Sequence, residues 1–448
     1  MVEETWDILN LLGIDERRLR LKWISASEGA VFAAEIQAFV QVLKELGENP
    51  LTAPGTRDIP IEPPPGQKDV VKKPMQLTME QIEYCMECSI CTESCPVSRM
   101  EPSFSPKQII KRAVMKLDED LLQSREIWSC LNCGYCSKRC PAMIDFPELN
   151  CYYRHEARKT GNLPIENHHG VHQLIARLQT RPIQQQRTAW AAESGNFRTS
   201  GEYFYFVGCL PYYDITLRYL NISPLTSARS VLALLNKVGI EPVISNDERC
   251  CGHDALWSGD ETTFKKLAEW NIDVIKATGA KTVLFSCPEG YNTFKNDYPK
   301  HFGELPFVVV YMTEFLAHNL SSEALSFHSS NTGVITYQDP CRLGRWAGIY
   351  ESPRHLLKLI PETELIEMER NRENALCCGT SGWMECSHCA KEIQTERLLE
   401  AEQSGAKTLI TACPKCQIHL TCAQSSEDIN LELKDIYTYL QEHLRKSE

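Results

Sequence analysis

Twenty-one cysteines lie in this 448-residue chain, and none of them precedes Cys85. Eight fall between residues 85 and 140, in two copies of one pattern: Cys85-x-x-Cys88-x-x-Cys91-x-x-x-Cys95-Pro96 and Cys130-x-x-Cys133-x-x-Cys136-x-x-x-Cys140-Pro141. The N-terminus, MVEETWDILNLLGIDERR, is acidic and lacks the apolar run of a secretory leader, so a disulfide scaffold is not expected. The expected location is the cytoplasm, where many cysteines mean metal ligands, cluster ligands or redox groups. No apolar run approaches the roughly 20 residues of a membrane helix, so any membrane contact is expected through a partner. A net charge of −12 argues against binding nucleic acid or anionic membranes through the overall field.

Each of the two cysteine runs has ferredoxin spacing. Three close thiolates wrap one face of a cubane, and the fourth, before proline, reaches the other cubane. One [4Fe-4S] cluster is therefore expected on Cys85, Cys88, Cys91 and Cys140, and a second on Cys130, Cys133, Cys136 and Cys95. A pair of zinc sites would need neither the third cysteine nor the proline. Between the runs, SFSPKQIIKRAVMKL predicts a helix capped by Ser105, with Pro106 in its first turn and Ile109, Ile110, Val114 and Leu117 on its buried face.

Residues 200–445 are duplicated. GAKTVLFSCPEG at 279–290 matches GAKTLITACPKC at 405–416, Cys250-Cys251-Gly252 matches Cys377-Cys378-Gly379, and Cys209 matches Cys341. Each half alternates β-rich runs with helical stretches. In the first half these are YFYFVG, a helix near 226–238, EPVIS, a helix near 260–277, KTVLFS and FVVVYMTEFL. The expected class is α/β, with a small parallel sheet per half and cysteines at strand ends, where ligands gather. The glycine after each cysteine pair is expected to let the backbone approach the bound group.

The second half offers five thiolates: Cys341, Cys377, Cys378, Cys413 and Cys416. Five exceed a cubane's need, and adjacent cysteines do not easily reach separate corners of one cube, so a larger or opened iron–sulfur assembly is expected. The first half offers Cys209, Cys250, Cys251 and Cys287, with Gly290 where the fifth cysteine should stand. A cluster, zinc or a vestigial site are the alternatives there, with a cluster favoured.

The stretches DPCRLGRWAGIYESPRHLL, RNRENALCCGTSG and CCGHDALWSGD resemble the D-type chains of heterodisulfide reductase, which fuse a two-cubane domain to two cysteine-rich CCG domains. The resemblance covers about residues 76–445. It implies a non-cubane [4Fe-4S] cluster at the five-cysteine site. In heterodisulfide reductases such sites cleave the disulfide between coenzyme M and coenzyme B. ERRLRLKWISASEGAVFAAEIQAFVQVLKELG resembles the delta subunit of methyl-viologen-reducing hydrogenase. That likeness implies docking on a flavoprotein like the A-type chain of heterodisulfide reductase, but not electron carriage, since the segment has no cysteine.

The expected layout is a mainly α N-terminal part followed by the α/β half. It comprises a helical docking segment at 1–50, a proline-rich linker at 51–75 and an α-helical two-cubane domain at 76–198, then CCG domains at 199–324 and 325–448. In the first segment a helix starts near Ser27 and closes at Gly47, with a stripe that must dock on the body or on a partner; 166–198 is expected to form another helix. The predicted function is an oxidoreductase subunit reducing or forming a thiol disulfide, small-molecule or protein, alongside other redox subunits. The alternative is a relay between a flavoprotein dehydrogenase and another acceptor. Arg342 and Arg345 are candidates to clamp an anionic thiol or to neutralise a cluster, and His253 a candidate proton donor. Cys386 and Cys389 are expected as small buried residues in the first turn of a helix, Cys151 and Cys422 as structural, and His168 and His169 as exposed.

Overall fold

The computed structural model describes residues 2–25, 28–51, 79–319, 326–329 and 333–445. The proline-rich linker and the helix start at Ser27 lie outside the described residues.

The duplicated half is α/β. The first repeat builds a parallel sheet in the order β1 (Tyr203–Phe206), β2 (Thr282–Phe285), β3 (Val308–Tyr311), with Phe204 opposite Val283 and Val283 opposite Val309. The second builds β4 (Val334–Gln338), β5 (Glu364–Leu365), β6 (Thr408–Thr411) and β7 (Glu432–Asp435) in the order β5-β4-β6-β7, also all parallel. The strands are short apolar runs covered by helices, as parallel sheets require. Helices Leu225–Lys237 and Glu261–Ala277 lie where the sequence puts them. EPVIS is not a strand: Val243 makes only isolated bridges to Arg198 and Phe204. FVVVYMTEFL splits, with β3 ending at Tyr311 and a helix running from Met312 to Asn319. One continuous core unites both repeats, from Phe204, Val283 and Phe285 to Ile335, Tyr337 and Ile410. The Tyr311 hydroxyl lies within hydrogen-bonding reach of both Ser286 O and Ala412 O, between the carboxyl ends of β2 and β6.

Residues 79–198 are helical segments and loops. Ser105 accepts from the Gln108 N–H and Pro106 opens the helix Pro106–Val114, as predicted. Ile109 and Ile110 are buried, but Val114 and Leu117 are exposed, because the helix stops at Val114 and the chain turns away. Residues 166–198 form only a short helix, Val171–Leu178, with 3-10 turns; left-handed backbone at His168, His169 and Gly170 breaks anything longer. Near the N-terminus, Leu12 and Ile14 pack on Ile175, Ile183 and Tyr212. Helix Gly29–Leu46 closes at Gly47, and none of its residues is buried. Val31, Phe32, Ile36 and Val40 remain exposed.

Candidate functional site: four cysteine clusters in one body

The two ferredoxin-type runs fold against each other so that their cysteines interleave. Cys85, Cys88 and Cys91 share a cavity with Cys140, the last cysteine of the other run. Cys88 is exposed there, with the exposed side chain of Met86 on the same cavity wall. At the inner set, Cys130, Cys133 and Cys136 are buried. Burial and the neighbouring sulfurs of Cys133 and Cys130 push the Cys95 thiol up to about 12. Burial and the sulfurs of Cys130, Cys133 and Cys95 likewise push Cys136 up. Sulfurs packed this way repel one another as thiolates unless a metal group holds them, so both donor sets fit iron–sulfur clusters.

In the second repeat, strand ends and helix starts deliver the sulfurs. Cys413 caps helix Pro414–Gln424 directly after β6, with Pro414 in the first turn, which brings Cys416 into the same turn. Cys377 has the thiols of Cys133, Cys341 and Cys378 as hydrogen-bonding neighbours, and Cys416 has those of Cys378 and Cys413. The five sulfurs therefore form one continuous cluster, and a sixth, Cys133 of the inner ferredoxin-type set, touches it. Around the Cys341 loop, buried Arg354 is bidentate to Asp339, both contacts 2.8 Å, and also meets Glu367. Asp339 accepts in addition from the Arg372 N–H at 2.8 Å.

The first repeat follows this plan with four sulfurs. Cys209 Sγ is 3.5 Å from Cys250 Sγ, and the electrostatic surroundings of Cys251 include Cys209 and Cys287. Cys250 N–H donates to Gln179 Oε1 at 2.8 Å, and Tyr298 hydroxyl donates to Cys251 O at 3.0 Å. A Cβ on Gly290 would lie 3.9 Å from Cys251 Cβ but 3.3 Å from the Phe285 ring. Thr411 is the equivalent of Phe285 in the second repeat, so a ring fills in one half the room left for a sulfur in the other.

The glycines after the two cysteine pairs also make room for helix packing. Gly252 and Gly379 have φ of +81° and +77°. A Cβ there would lie 2.8 Å from Phe264 Cδ2 and 2.6 Å from Ala390 O, so glycine lets helices Glu261–Ala277 and His388–Gln403 close on the backbone.

Between the two sets lies a charge cluster that sequence reasoning missed. Glu289 and Lys415 occupy equivalent positions in the repeats and pair with each other at 2.8 Å, and Lys415 also meets Asp254. Burial opposes the Lys415 charge, but Asp254 and Glu289 outweigh it and push the ammonium well above its usual value. The opposite charges at matching positions of GAKTVLFSCPEG and GAKTLITACPKC were the available signal. His253 is buried nearby, with Nδ1 3.1 Å from Thr293 Oγ1 and Nε2 3.5 Å from Glu289 Oε1. Trp383 stacks on His172, donates to Tyr213 hydroxyl at 2.9 Å and packs against His419. The His419 Nε2 is buried without a hydrogen-bond partner, on the Cys378 side of the interface.

Arg345 does not point at open space. Its Nε donates to Cys133 O at 2.8 Å and its Nη1 to Ala375 O at 2.5 Å, clamping the inner ferredoxin-type loop to the loop before Cys377. His168 is half-buried in ring contact with Trp383, His172 and Tyr219, while His169 is exposed. Cys386 is exposed ahead of helix His388–Gln403, and only Cys389 lies in its first turn. Cys151 contacts Leu256 O at 3.3 Å, and Cys422 lies 3.0 Å from Lys391 Nζ.

Residues 81–144 match the 4Fe-4S dicluster domain, and 203–295 and 335–421 each match the cysteine-rich CCG domain. The chain therefore carries one 4Fe-4S dicluster domain and two cysteine-rich domains. Residues 1–47 match the delta-subunit family of methyl-viologen-reducing hydrogenase. The chain is similar to the D subunit of dihydromethanophenazine:CoB–CoM heterodisulfide reductase of Methanosarcina acetivorans, at 33% identity over 56% of this chain and 61% of that one. It is also similar to FadF, a probable iron-sulfur-binding oxidoreductase of Bacillus subtilis, at 34% identity over 51% of this chain and 32% of the relative. A third similar protein is the EtfAB:quinone oxidoreductase of Syntrophomonas wolfei, at 32% identity over 48% of this chain and 30% of the relative. The chain spans less than two thirds of the D subunit's length. Among the described residues no helix is long and apolar enough to cross a membrane.

Proposed function

We propose that this protein is a cytoplasmic subunit of a heterodisulfide reductase-like complex. Cys85, Cys88, Cys91 and Cys140 would hold an outer [4Fe-4S] cubane, and Cys95, Cys130, Cys133 and Cys136 an inner one. Cys341, Cys377, Cys378, Cys413 and Cys416 would hold a non-cubane [4Fe-4S] cluster at which a thiol disulfide is reduced or formed. The observation that carries this reading is the Cys133–Cys377 neighbourhood, which brings the inner cubane's donor set against the five-cysteine set. When bound, the group at the five cysteines supplies one-electron steps and an iron open to substrate sulfur. Reduction breaks one S–S bond and consumes two electrons and two protons. The chain's own part is to align donor sets, exclude water and fix loops: Arg345 clamps two loops together, and Arg354 with Asp339 holds the Cys341 turn.

The first CCG set, Cys209, Cys250, Cys251 and Cys287, is a closed four-thiolate site for a further iron–sulfur cluster, with zinc as the other candidate. Phe285 beside Gly290 supports the closed reading. The apolar face of helix Gly29–Leu46, exposed among the described residues, together with the delta-subunit match, supports docking on a flavoprotein like the A-type chain of heterodisulfide reductase.

Cys378→Ser tests the proposal. It should abolish disulfide-dependent thiol formation while both cubane signals survive. Unchanged turnover would favour a relay without its own substrate, the role suggested by the likeness to the EtfAB:quinone oxidoreductase.

A further inference from the structure

Buried arginines in this protein fall into two groups. Arg187 pairs with Glu248, Arg354 with Asp339 and Glu367, and Arg397 with Glu400. Arg249 lies against Trp270, in the field of Asp247 and Glu248. Arg154, Arg342 and Arg345 are 0%, 4% and 2% exposed and, like Arg249, have no carboxylate within ion-pair distance among the described residues; what sets them apart is the cysteine sulfurs in their fields. All three converge on the Cys130–Cys133 loop. Arg154 donates to Cys130 O at 2.7 Å and to Trp128 O and Ile127 O. Arg345 donates to Cys133 O. Arg342 is sandwiched between the rings of Trp257 and Trp346 at 4.2 and 4.4 Å, and its Nη2 is buried without a partner. Fields from Arg154 and Arg342 reach the Cys130 sulfur, and those from Arg345 and Arg342 reach Cys133. Among the carboxylates in the wider surroundings of Arg342, Glu289 pairs with Lys415 and Asp297 with Lys300, while Asp145 caps helix Phe146–Lys159 and lies outside ion-pair distance of Arg342.

Three desolvated cations without counter-ions are costly unless a negative group stands among them. The thiolates and sulfides of a cubane on Cys95, Cys130, Cys133 and Cys136 would be such a group, and the Cys341 and Cys377 sulfurs also lie in the field of Arg345. Burial alone makes such a cluster hard to reduce, since reduction adds negative charge in a poorly solvated place. The outer donor set has one half-buried cation on its cavity wall, Lys107, held by Ser89, and no fully buried one among the described residues; Lys111 pairs with Glu87 at the surface. We propose that Arg154, Arg342 and Arg345 are electrostatic positioning residues. They raise the reduction potential of the inner cubane so that an electron entering at the exposed Cys88 edge moves inward rather than stalling at a buried, uphill step. The proposal rests on the two-cubane reading above, but not on disulfide chemistry at the five-cysteine site.

The test is an EPR-monitored redox titration of the full-length, cluster-loaded protein. Cys88→Ser assigns the outer signal. Arg342→Met fits between the two rings and removes the charge. It should lower the reduction equilibrium constant of the inner cubane about tenfold or more, 59 mV for a one-electron couple, and leave the outer cubane unmoved. Arg342→Lys should restore the wild-type value. If the methionine variant does not retain full iron, Arg342→Gln is titrated in its place. An inner potential unmoved at full iron content, or equal shifts of both cubanes, would overturn the proposal. Absence of a disulfide-dependent signal would refute the proposed function while these potentials remained measurable.

Discussion

Lys415 is the cation at the centre of the contact between the two CCG repeats, and removing it has a calculable effect. Its side chain is 4% exposed, with Glu289 and Asp254 at 13% and 17%. Exposed ion pairs contribute about 0–1 kcal/mol, but removing one partner of a buried pair costs roughly 3–5 kcal/mol, because a desolvated charge is left alone. Lys415→Met strands two carboxylates. One of them escapes cheaply, since burial already pushes Glu289 up to about 7 and a proton can replace the ammonium near neutral pH. The expected loss is therefore at the lower end, about 3 kcal/mol. The assay is denaturant unfolding of the cluster-loaded protein, with iron content checked for each variant. Replacing all three groups, Asp254→Asn, Glu289→Gln and Lys415→Met, should recover at least half of the loss, because no orphaned charge remains. A single variant within about 1 kcal/mol of wild type would show an ordinary surface pair. A triple variant no better than the single would show that packing rather than charge is at stake.

Three other outcomes are expected. Gly290→Cys alone should add no iron at the first CCG site, because the Phe285 ring stands 3.3 Å from the new Cβ; with Phe285→Thr added, iron per chain should rise, as metal analysis will read. Cys95→Ser should damage the cluster on Cys130, Cys133 and Cys136 and spare the one on Cys85, Cys88 and Cys91; EPR showing the opposite loss would sink the crossed assignment. Asp435 caps helix Ile436–Glu442, and burial raises its carboxyl from 3.8 to about 7. The folded protein therefore keeps a proton that the unfolded chain releases, so its contribution to stability falls as pH rises from about 4 to 7. Asp435→Asn should flatten that slope in thermal unfolding scans, and an unchanged slope would assign it to other groups.

Cysteine spacing made the candidate sites legible because ligand sets are written as short intervals in the chain. The parallel sheets followed from apolar runs such as KTVLFS and TLIT between helical stretches. Other features depended on contacts distant in sequence. EPVIS has strand composition, but it meets the edge of β1 only through Val243, so the run does not extend as a strand of the sheet. His168 looked like a solvent residue until Trp383, 215 positions later, was brought against it. Arg154 carried no motif at all; only the fold carries it from helix Phe146–Lys159 to the carbonyls around Cys130. The Glu289–Lys415 pair was written in the duplication, but only the facing of the two repeats turns a charge difference into a contact.

The central claim is that the five-cysteine site takes substrate sulfur. The most direct measurement adds a small-molecule disulfide to the cluster-loaded protein during stepwise reduction and follows it by low-temperature EPR. The account predicts a new paramagnetic signal that requires the disulfide, persists in Cys209→Ser and is lost in Cys378→Ser, with both cubane signals intact. No disulfide-dependent signal at any potential, or one that survives Cys378→Ser, would contradict it.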